Sequence, residues 1–345
     1  MFGIAGRASG KSGEWFFGTS GKLTFAGSAV FVLLFCFLDV FTPSGRVITP
    51  YIKHIFLMFM IFSVLSLSLN FVSGYIGQIS LGHAAFFGVG AYVSAYLTKL
   101  SGWPFWLALP VAGIMTALLG FPLSLPALRV KGNFLVVITY GFGEVLRYVM
   151  INTEVTGGPS GFPGIPTPVL VKDFQDIGPT GKEAYILMVF CLVAFLAFFK
   201  SRLEKSRVGY AFAAIREDEI AATSMGIDTK RYKVLAFVLG AFFAGLAGSM
   251  YASYVRMVSP ELLGSAQSIL ILTMMVVGGA RSIKGCILGA GLLTLLPELL
   301  KYLKDLLGLP FDPWLIIYGL LLVAMMRLRP QGIWGKSSIF TKSAK

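Results

Sequence analysis

Charge is scarce in this chain. Asp, Glu, Lys and Arg make up 13% of its 345 residues, about half of the roughly 25% found in a soluble globular domain. So thin a supply cannot clothe a water-facing surface of this size, which excludes an ordinary soluble enzyme. Histidine is scarcer still, with only His54 and His83. No H-E-x-x-H pattern occurs and no Ser and His arrangement can be placed, so a membrane-embedded hydrolase has no visible machinery. Cys36, Cys191 and Cys286 lie in apolar segments without metal-ligand spacing, so neither a metal site nor a disulfide framework is expected, and no cofactor is implied. A phosphate-binding loop is missing as well. AGRASGKS, Ala5–Ser12, meets only a relaxed form of that pattern, with Ala at the first Gly position and no strand before it.

What the chain has instead is apolar length. Apolar residues make up 56% of it, and runs near 18 residues or more, about enough to cross a hydrocarbon layer of roughly 30 Å as a helix, recur throughout. They are continuous rather than alternating, which favours helices over a barrel. The pattern predicts an all-α polytopic membrane protein with about ten spans, near 25–42, 55–73, 79–98, 103–122, 133–151, 184–200, 234–255, 264–280, 285–300 and 311–328. Arg7, Lys11 and Lys22 precede the first run. That run is long for a signal h-region and no small-residue cleavage pattern follows it, so it reads as a span after an N-terminal segment 1–24.

The net charge of +13 sits in short segments between the apolar runs. This is the bias of cytoplasmic loops and not a nucleic-acid surface. The most basic loop, about 201–233, is bordered or occupied by Lys200, Arg202, Lys205, Arg207, Arg216, Lys230, Arg231 and Lys233, and is expected in the cytoplasm. Counting spans from it places both termini, including the tail 331–345, on the same side of a 25–330 transmembrane unit. The Gly- and Pro-rich loop at 152–183, with TGGPSGFPGIPTP, falls on the other side and is expected to be turn-rich. Four spans before a connecting span and four after it run in opposite senses, so an inverted repeat of four to five helices is expected from topology alone. SGYIGQISLGHAAFFGVGAY near 73–92 and VGGARSIKGCILGAG near 277–291 read either as interrupted helices beside a substrate path or as close packing through small residues such as Gly285 and Gly289.

Ionisable residues within the spans are few: His83, Glu144, Arg147, Asp39 and Glu298. A charge at mid-bilayer costs about 2.5–3.5 kcal/mol on insertion scales, so an ionisable residue there is a functional candidate. Glu144 and Arg147, three apart on one helix, are expected to pair. His83 stands beside Gln78 and Ser80 in the first interrupted segment, so Gln78, Ser80, His83 and Glu144 are the candidate translocation residues. Asp39, Glu298 and Lys301 lie near span ends, within reach of water. An ion-coupled transporter is the alternative that Glu144 and His83 keep open.

The segment GYAFAAIREDEIAATSMGIDTKRYKVLAF, Gly209–Phe237, predicts a short loop helix over 210–225 ended by Gly226 in a left-handed conformation. Ala211, Ala214, Ile215, Ala222 and Met225 share one face. Arg216, Glu217, Asp218 and Glu219 form a mainly acidic patch, which suits a protein partner better than anionic lipid. This loop, with GYIGQISLGHAAFFGVGAY and TGGPSGFPGIP, resembles the permease subunits of branched-chain amino-acid ABC importers, in particular the longer of the two permeases that form the heterodimer. The likeness covers roughly residues 60–330. Urea and sugar permeases of the same superfamily share the loop and much of the topology, so a urea or other small-solute permease is the nearer alternative. The resemblance implies a bacterial inner-membrane protein embedded in lipid, a second permease subunit, two ATPase subunits and an extracytoplasmic substrate-binding protein. It also implies a coupling helix docked on the ATPase, in which Arg216, Glu217, Asp218, Ala221 and Gly226 are the transmission residues.

Overall fold

The computed structural model describes residues 50–130, 133–168, 182–307, 314–328 and 332–334. The expected span at 25–42, with Asp39 and Cys36, lies outside the described residues, as do segment 1–24 and most of the tail. Every other expected span is a helix. α1 is Pro50–Leu69 and continues without a gap as a π-helical segment, Asn70–Ile76. α2 is His83–Lys99, α3 Phe105–Arg129, α4 Asn133–Asn152 and α5 Lys182–Glu204. Two short helices follow, α6 Arg207–Glu217 and α7 Glu219–Ser224. α8 is Thr229–Val255, α9 Ser265–Gly278, α10 Ile283–Leu307 and α11 Trp314–Leu328. Among the described residues, six stretches are long and apolar enough to cross a membrane: Pro50–Ile76, Phe105–Pro126, Phe134–Asn152, Ala184–Glu204, Thr229–Val255 and Ile283–Lys301.

The helix lengths on the two sides of α5 run in step. On one side a 27-residue stretch, Pro50–Ile76, is followed by helices of 17, 25 and 20 residues. On the other, α8 with 27 residues is followed by helices of 14, 25 and 15. In each group the long first helix ends on a left-handed residue, Gly77 at φ +81° and Arg256 at φ +62°. An irregular piece and a short helix follow. The piece that matches 77–82 by chain order is therefore 256–264, and not the segment near 277–291. The latter is interrupted too, at Gly279–Ser282, and Gly285 and Gly289 do pack α10 closely against Met274 and Gly278 of α9.

α8 forms the middle of the bundle, against α1, α2 and α3. Lipid tails are as apolar as Leu, so helices here gain by close approach of backbones more than by leaving water. Small residues on α8 allow it. A Cβ on Gly245 would strike Thr116 of α3, one on Gly248 would strike the Phe87 carbonyl, and one on Gly90 of α2 would strike Gly245. Ser249 Oγ donates to Ser94 Oγ across the same contact, at 2.7 Å.

Contacts at helix ends divide the bundle into two poles. At one, His54 Nδ1 lies 2.6 Å from Tyr254 OH, Tyr51 OH donates to Glu298, and Lys99 Nζ donates to the Pro163 carbonyl at 2.6 Å. There the 152–168 part of the Gly- and Pro-rich loop makes turns at Glu154–Thr156 and Gly158–Ser160. It then forms β1, Phe162–Pro163, which pairs antiparallel with β2, Met257–Val258. The loop is thus turn-rich as expected; residues 169–181 of it lie outside the described residues. At the opposite pole, which carries α6 and α7, Tyr75 OH donates to Glu204 Oε1 at 2.8 Å and Arg281 Nη1 lies 3.5 Å from Glu217 Oε1. The alternation of poles follows the expected order of crossings.

Gly245→Val should cost about 3 kcal/mol by forcing α2, α3 and α8 apart. A lower thermal midpoint and loss of a single size-exclusion peak in detergent would report it. Gly141→Val, where a Cβ meets nothing within 4 Å, should leave both unchanged.

Candidate functional site

The expected loop helix is two helices. Ser206 begins α6 by accepting from Gly209 N at 3.3 Å, and Asp218 interrupts it. Asp218 adopts an extended conformation, φ −154° and ψ 114°, and its carboxylate accepts from Ile220 N at 2.8 Å and Ala221 N at 3.0 Å. An acidic side chain at this position competes with the continuing helix for backbone N–H groups, and here it wins. α7 ends as expected. Gly226 is left-handed at φ +83°, its N–H reaches Thr223 O, and Ile227 N reaches Ala222 O. Asp228 then caps α8 through Arg231 N at 3.2 Å.

The pair of helices has a buried side of Ala211, Phe212, Ile215 and Ala222. Met225, placed by helical periodicity on that side, is instead 84% exposed, as is Ile220 at 74%, because the kink at Asp218 rotates α7 relative to α6. Ala214, Glu217, Asp218, Ala221, Ala222 and Met225 line an open concavity of about 430 Å³. Lys233, counted among the loop cations, is buried and bonds Glu219 Oε1 at 2.6 Å. This tie fixes α7 to the start of α8.

The five residues assigned to coupling therefore part company. Glu217, Asp218, Ala221 and Gly226 are exposed. Arg216 turns inward. Its Nη1 donates to the Gly74 carbonyl of the π segment, and its stem lies under Gly77, where a Cβ would sit 3.2 Å from Arg216 Cγ. Burial, and then the neighbouring Arg281, push its pKa down, yet a guanidinium stays charged in proteins.

The π segment explains why that contact forms. It stops at Gly77, in the left-handed region, whose N–H returns to Val72 O. The carbonyls of a helix's last turn have no partner within the helix, and in a lipid-surrounded bundle an unsatisfied one costs several kcal/mol. Gly74 O finds Arg216. Nearby, Lys200 Nζ donates to Leu67 O at 2.9 Å and lies 4.6 Å from the ring centres of both Phe71 and Tyr75. Tyr75 also stacks on Phe212 of α6, with ring centres 6.3 Å apart. Lys200 reads in the sequence only as one more loop cation, because its partners are a carbonyl and two aromatic rings of a distant segment.

The candidate translocation residues sit where the chain is interrupted. Gln78 is half-buried, and its carbonyl accepts from Ser73 Oγ at 3.0 Å. Ser80 is buried, with its hydroxyl 3.4 Å from Gly82 N. Leu81 N donates to Thr139 Oγ1 at 3.1 Å, and Ala84 N, in the first turn of α2, donates to Ser268 Oγ of α9 at 3.1 Å. His83, also buried, lies with Nε2 2.7 Å from Ser68 Oγ. That hydroxyl already donates to Leu65 O at 2.8 Å, so it accepts from a protonated Nε2. Glu144 is not drawn into this group: it pairs with Arg147 at 3.2 Å, as expected. Glu298, near the other pole, is held by Tyr51 and Lys301.

A family model described as "Branched-chain amino acid transport system / permease component" matches residues 51–326. The chain is similar to the high-affinity branched-chain amino acid transport system permease protein LivM of Escherichia coli, 37% identical over 294 residues, with 79% of this chain and 68% of that one covered. It is 25% identical over 341 residues to a probable branched-chain amino acid transport permease protein LivM of Methanocaldococcus jannaschii, covering 85% and 96%. Permease protein BraD of Pseudomonas aeruginosa, from a high-affinity branched-chain amino acid transport system, is 26% identical over 294 residues, covering 81% and 92%. No solved structure matches.

A helix of six residues does not stand on its own propensity, so α7 depends on its cap. Asp218→Ala should cost about 1 kcal/mol locally and speed hydrogen exchange across Glu219–Ser224, with little change in α8.

Proposed function

The chain belongs to the family of branched-chain amino acid transport permease components, and from that premise we propose that it is the longer permease of an ATP-driven importer for branched-chain amino acids. It is a multi-pass membrane permease, a path for solute rather than a site of covalent chemistry. A second permease completes the membrane part of the transporter. Two ATPase subunits supply the energy, and an extracytoplasmic binding protein delivers the amino acid. In this reading the pole with α6 and α7 faces the cytoplasm of a bacterial inner membrane, and the β1–β2 pole faces outward.

One observation carries the assignment of the ATPase-facing surface. α6 and α7 stand beyond the spanning helices, fixed by Ser206, Asp218 and Lys233, and they present Ile220 and Met225 uncovered beside Glu217 and Asp218. Large apolar side chains ringed by charge are the usual makings of a protein contact. A short braced element of this kind passes a partner's rigid-body motion into the bundle. Gln78, Ser80 and His83, at the interruption between α1 and α2, are assigned to the translocation path, with Glu144 at its flank. An ion-coupled carrier usually carries carboxylates or His in the membrane to bind the coupling ion. Glu144 is already bound to Arg147, which favours the ATP-driven reading.

The test is purification of a tagged chain in mild detergent with mass spectrometry of what accompanies it, alongside uptake of radiolabelled leucine, isoleucine, valine and urea. Two ATPase chains, a second permease and uptake of the three amino acids are expected. Recovery of the chain alone, or uptake of urea in their place, overturns the reading. Gly226→Val, which places a β-branched residue at a left-handed position at a cost of about 1–2 kcal/mol, should lower leucine uptake several-fold while ATP hydrolysis continues; undiminished uptake would show that the turn after α7 does not matter for coupling.

A further inference from the structure

The end of the π segment is completed by a residue from another part of the chain. Its last carbonyls point past Gly77 with no helical successor, and the one at Gly74 is met by Arg216 from α6. Lys and Arg are favoured at helix C-termini because they complement both the free carbonyls and the negative end of the dipole. Ordinarily that cation lies in the helix's own last turn. Here it is 142 residues away in sequence, on the element that faces the ATPase.

We propose that Arg216 is a positioning residue that works as a removable C-cap: it holds the π segment Asn70–Ile76 in register and so ties the placement of α6 to the conformation of the interruption at 77–82. The proposal rests on the reading of α6 and α7 as the ATPase-facing helices. Three further observations bear on it. Gly77 has no side chain over the Arg216 stem, so the guanidinium can reach the carbonyl. Tyr75 is clamped on the same turn, stacked on Phe212 of α6 and bonded to Glu204 of α5. From Gly77 the chain has no helical turn until His83, so a change at the cap is not absorbed by regular structure on the way to Gln78 and Ser80. When α6 shifts, Gly74 O loses its donor. A π turn holds one residue more than the α turn it can tighten into, so re-pairing of the freed carbonyls passes a residue into the interruption and re-aims the path.

The experiment uses the complete transporter in liposomes, with ATPases, second permease and binding protein, and with Ile79→Cys in an otherwise cysteine-free chain. Ile79 is 41% exposed, and its replacement is labelled with a maleimide with and without ATP trapped by vanadate. With Arg216 present, the labelling rate should differ at least five-fold between the two states. Arg216→Gln should bring the difference below two-fold with both ATPase subunits still co-purifying, and Arg216→Lys should restore part of it. No nucleotide-dependent difference with Arg216 present, a full difference in Arg216→Gln, or loss of the ATPases from that variant each overturns the proposal. If the Arg216→Gln chain does not fold, Gly77→Ala keeps the arginine but crowds its stem, and must show the same loss; an unchanged difference there overturns the proposal too. Met225→Asp with Ile220→Asp separates this from the underlying reading, since those exposed side chains should release the ATPases. ATPases that stay bound to that double variant sink the docking surface, whatever Arg216 does.

Discussion

A backbone carbonyl or amide without water must find its partner inside the protein, and the arrangement of this bundle follows from that constraint wherever a helix is interrupted. A continuous helix satisfies itself. The interruption between α1 and α2 is served by side chains from elsewhere: Arg216 for Gly74 O, Lys200 for Leu67 O, Thr139 for Leu81 N and Ser268 for Ala84 N. These four bonds tie α1 and α2 to α6, α5, α4 and α9. The least regular stretch of the backbone is therefore among the most widely connected, and it carries three of the four residues assigned to the path.

The scarcity of charge has a structural counterpart in where the cations go. Lys200 and Lys233 are buried, yet each is engaged, one with a carbonyl and two aromatic faces and the other with Glu219. A charge removed from water is tolerated when paired or hydrogen-bonded and is otherwise costly. Basic residues near the α6–α7 pole thus do two jobs that composition cannot separate. Arg231 and Lys230 remain at the surface, where a sidedness bias acts, while Lys200 and Arg216 brace backbone carbonyls and Lys233 holds α7 through Glu219.

Helix existence and order were legible in the sequence, since a lipid environment leaves a long apolar run few other conformations. The left-handed turn at Gly226, the pairing of Glu144 with Arg147 and the turn-rich loop before Pro168 were legible too, because each is decided within a few residues of chain. What was not legible depends on distant segments. Asp218 reads as a tolerable helix residue until its carboxylate is seen holding Ile220 N and Ala221 N. Arg216 reads as one of four surface charges because its partner is a carbonyl, which no side-chain pattern announces. The interruption at 256–264 contains Pro260 and Glu261 and looks like an ordinary loop in sequence, whereas the glycines near 277–291 resemble a broken helix. Periodicity puts Met225 on one face with Ala211, Ile215 and Ala222 only if 210–225 is a single straight helix.

The two-residue pairing of Phe162–Pro163 with Met257–Val258 is small, yet it joins the chain after α4 to the chain after α8, and Lys99 of α2 is fastened to the same spot. Main-chain pairing in register does not slide, whereas a guanidinium can let go of one oxygen and take another. Bodies fastened firmly at one end and loosely at the other behave as tongs: a given swing yields little displacement near the fulcrum and most at the free tips. On this geometry the β1–β2 strap is the fulcrum. The pole of α6 and α7 stands farthest from it, so a push applied there has the longest lever over the helices between.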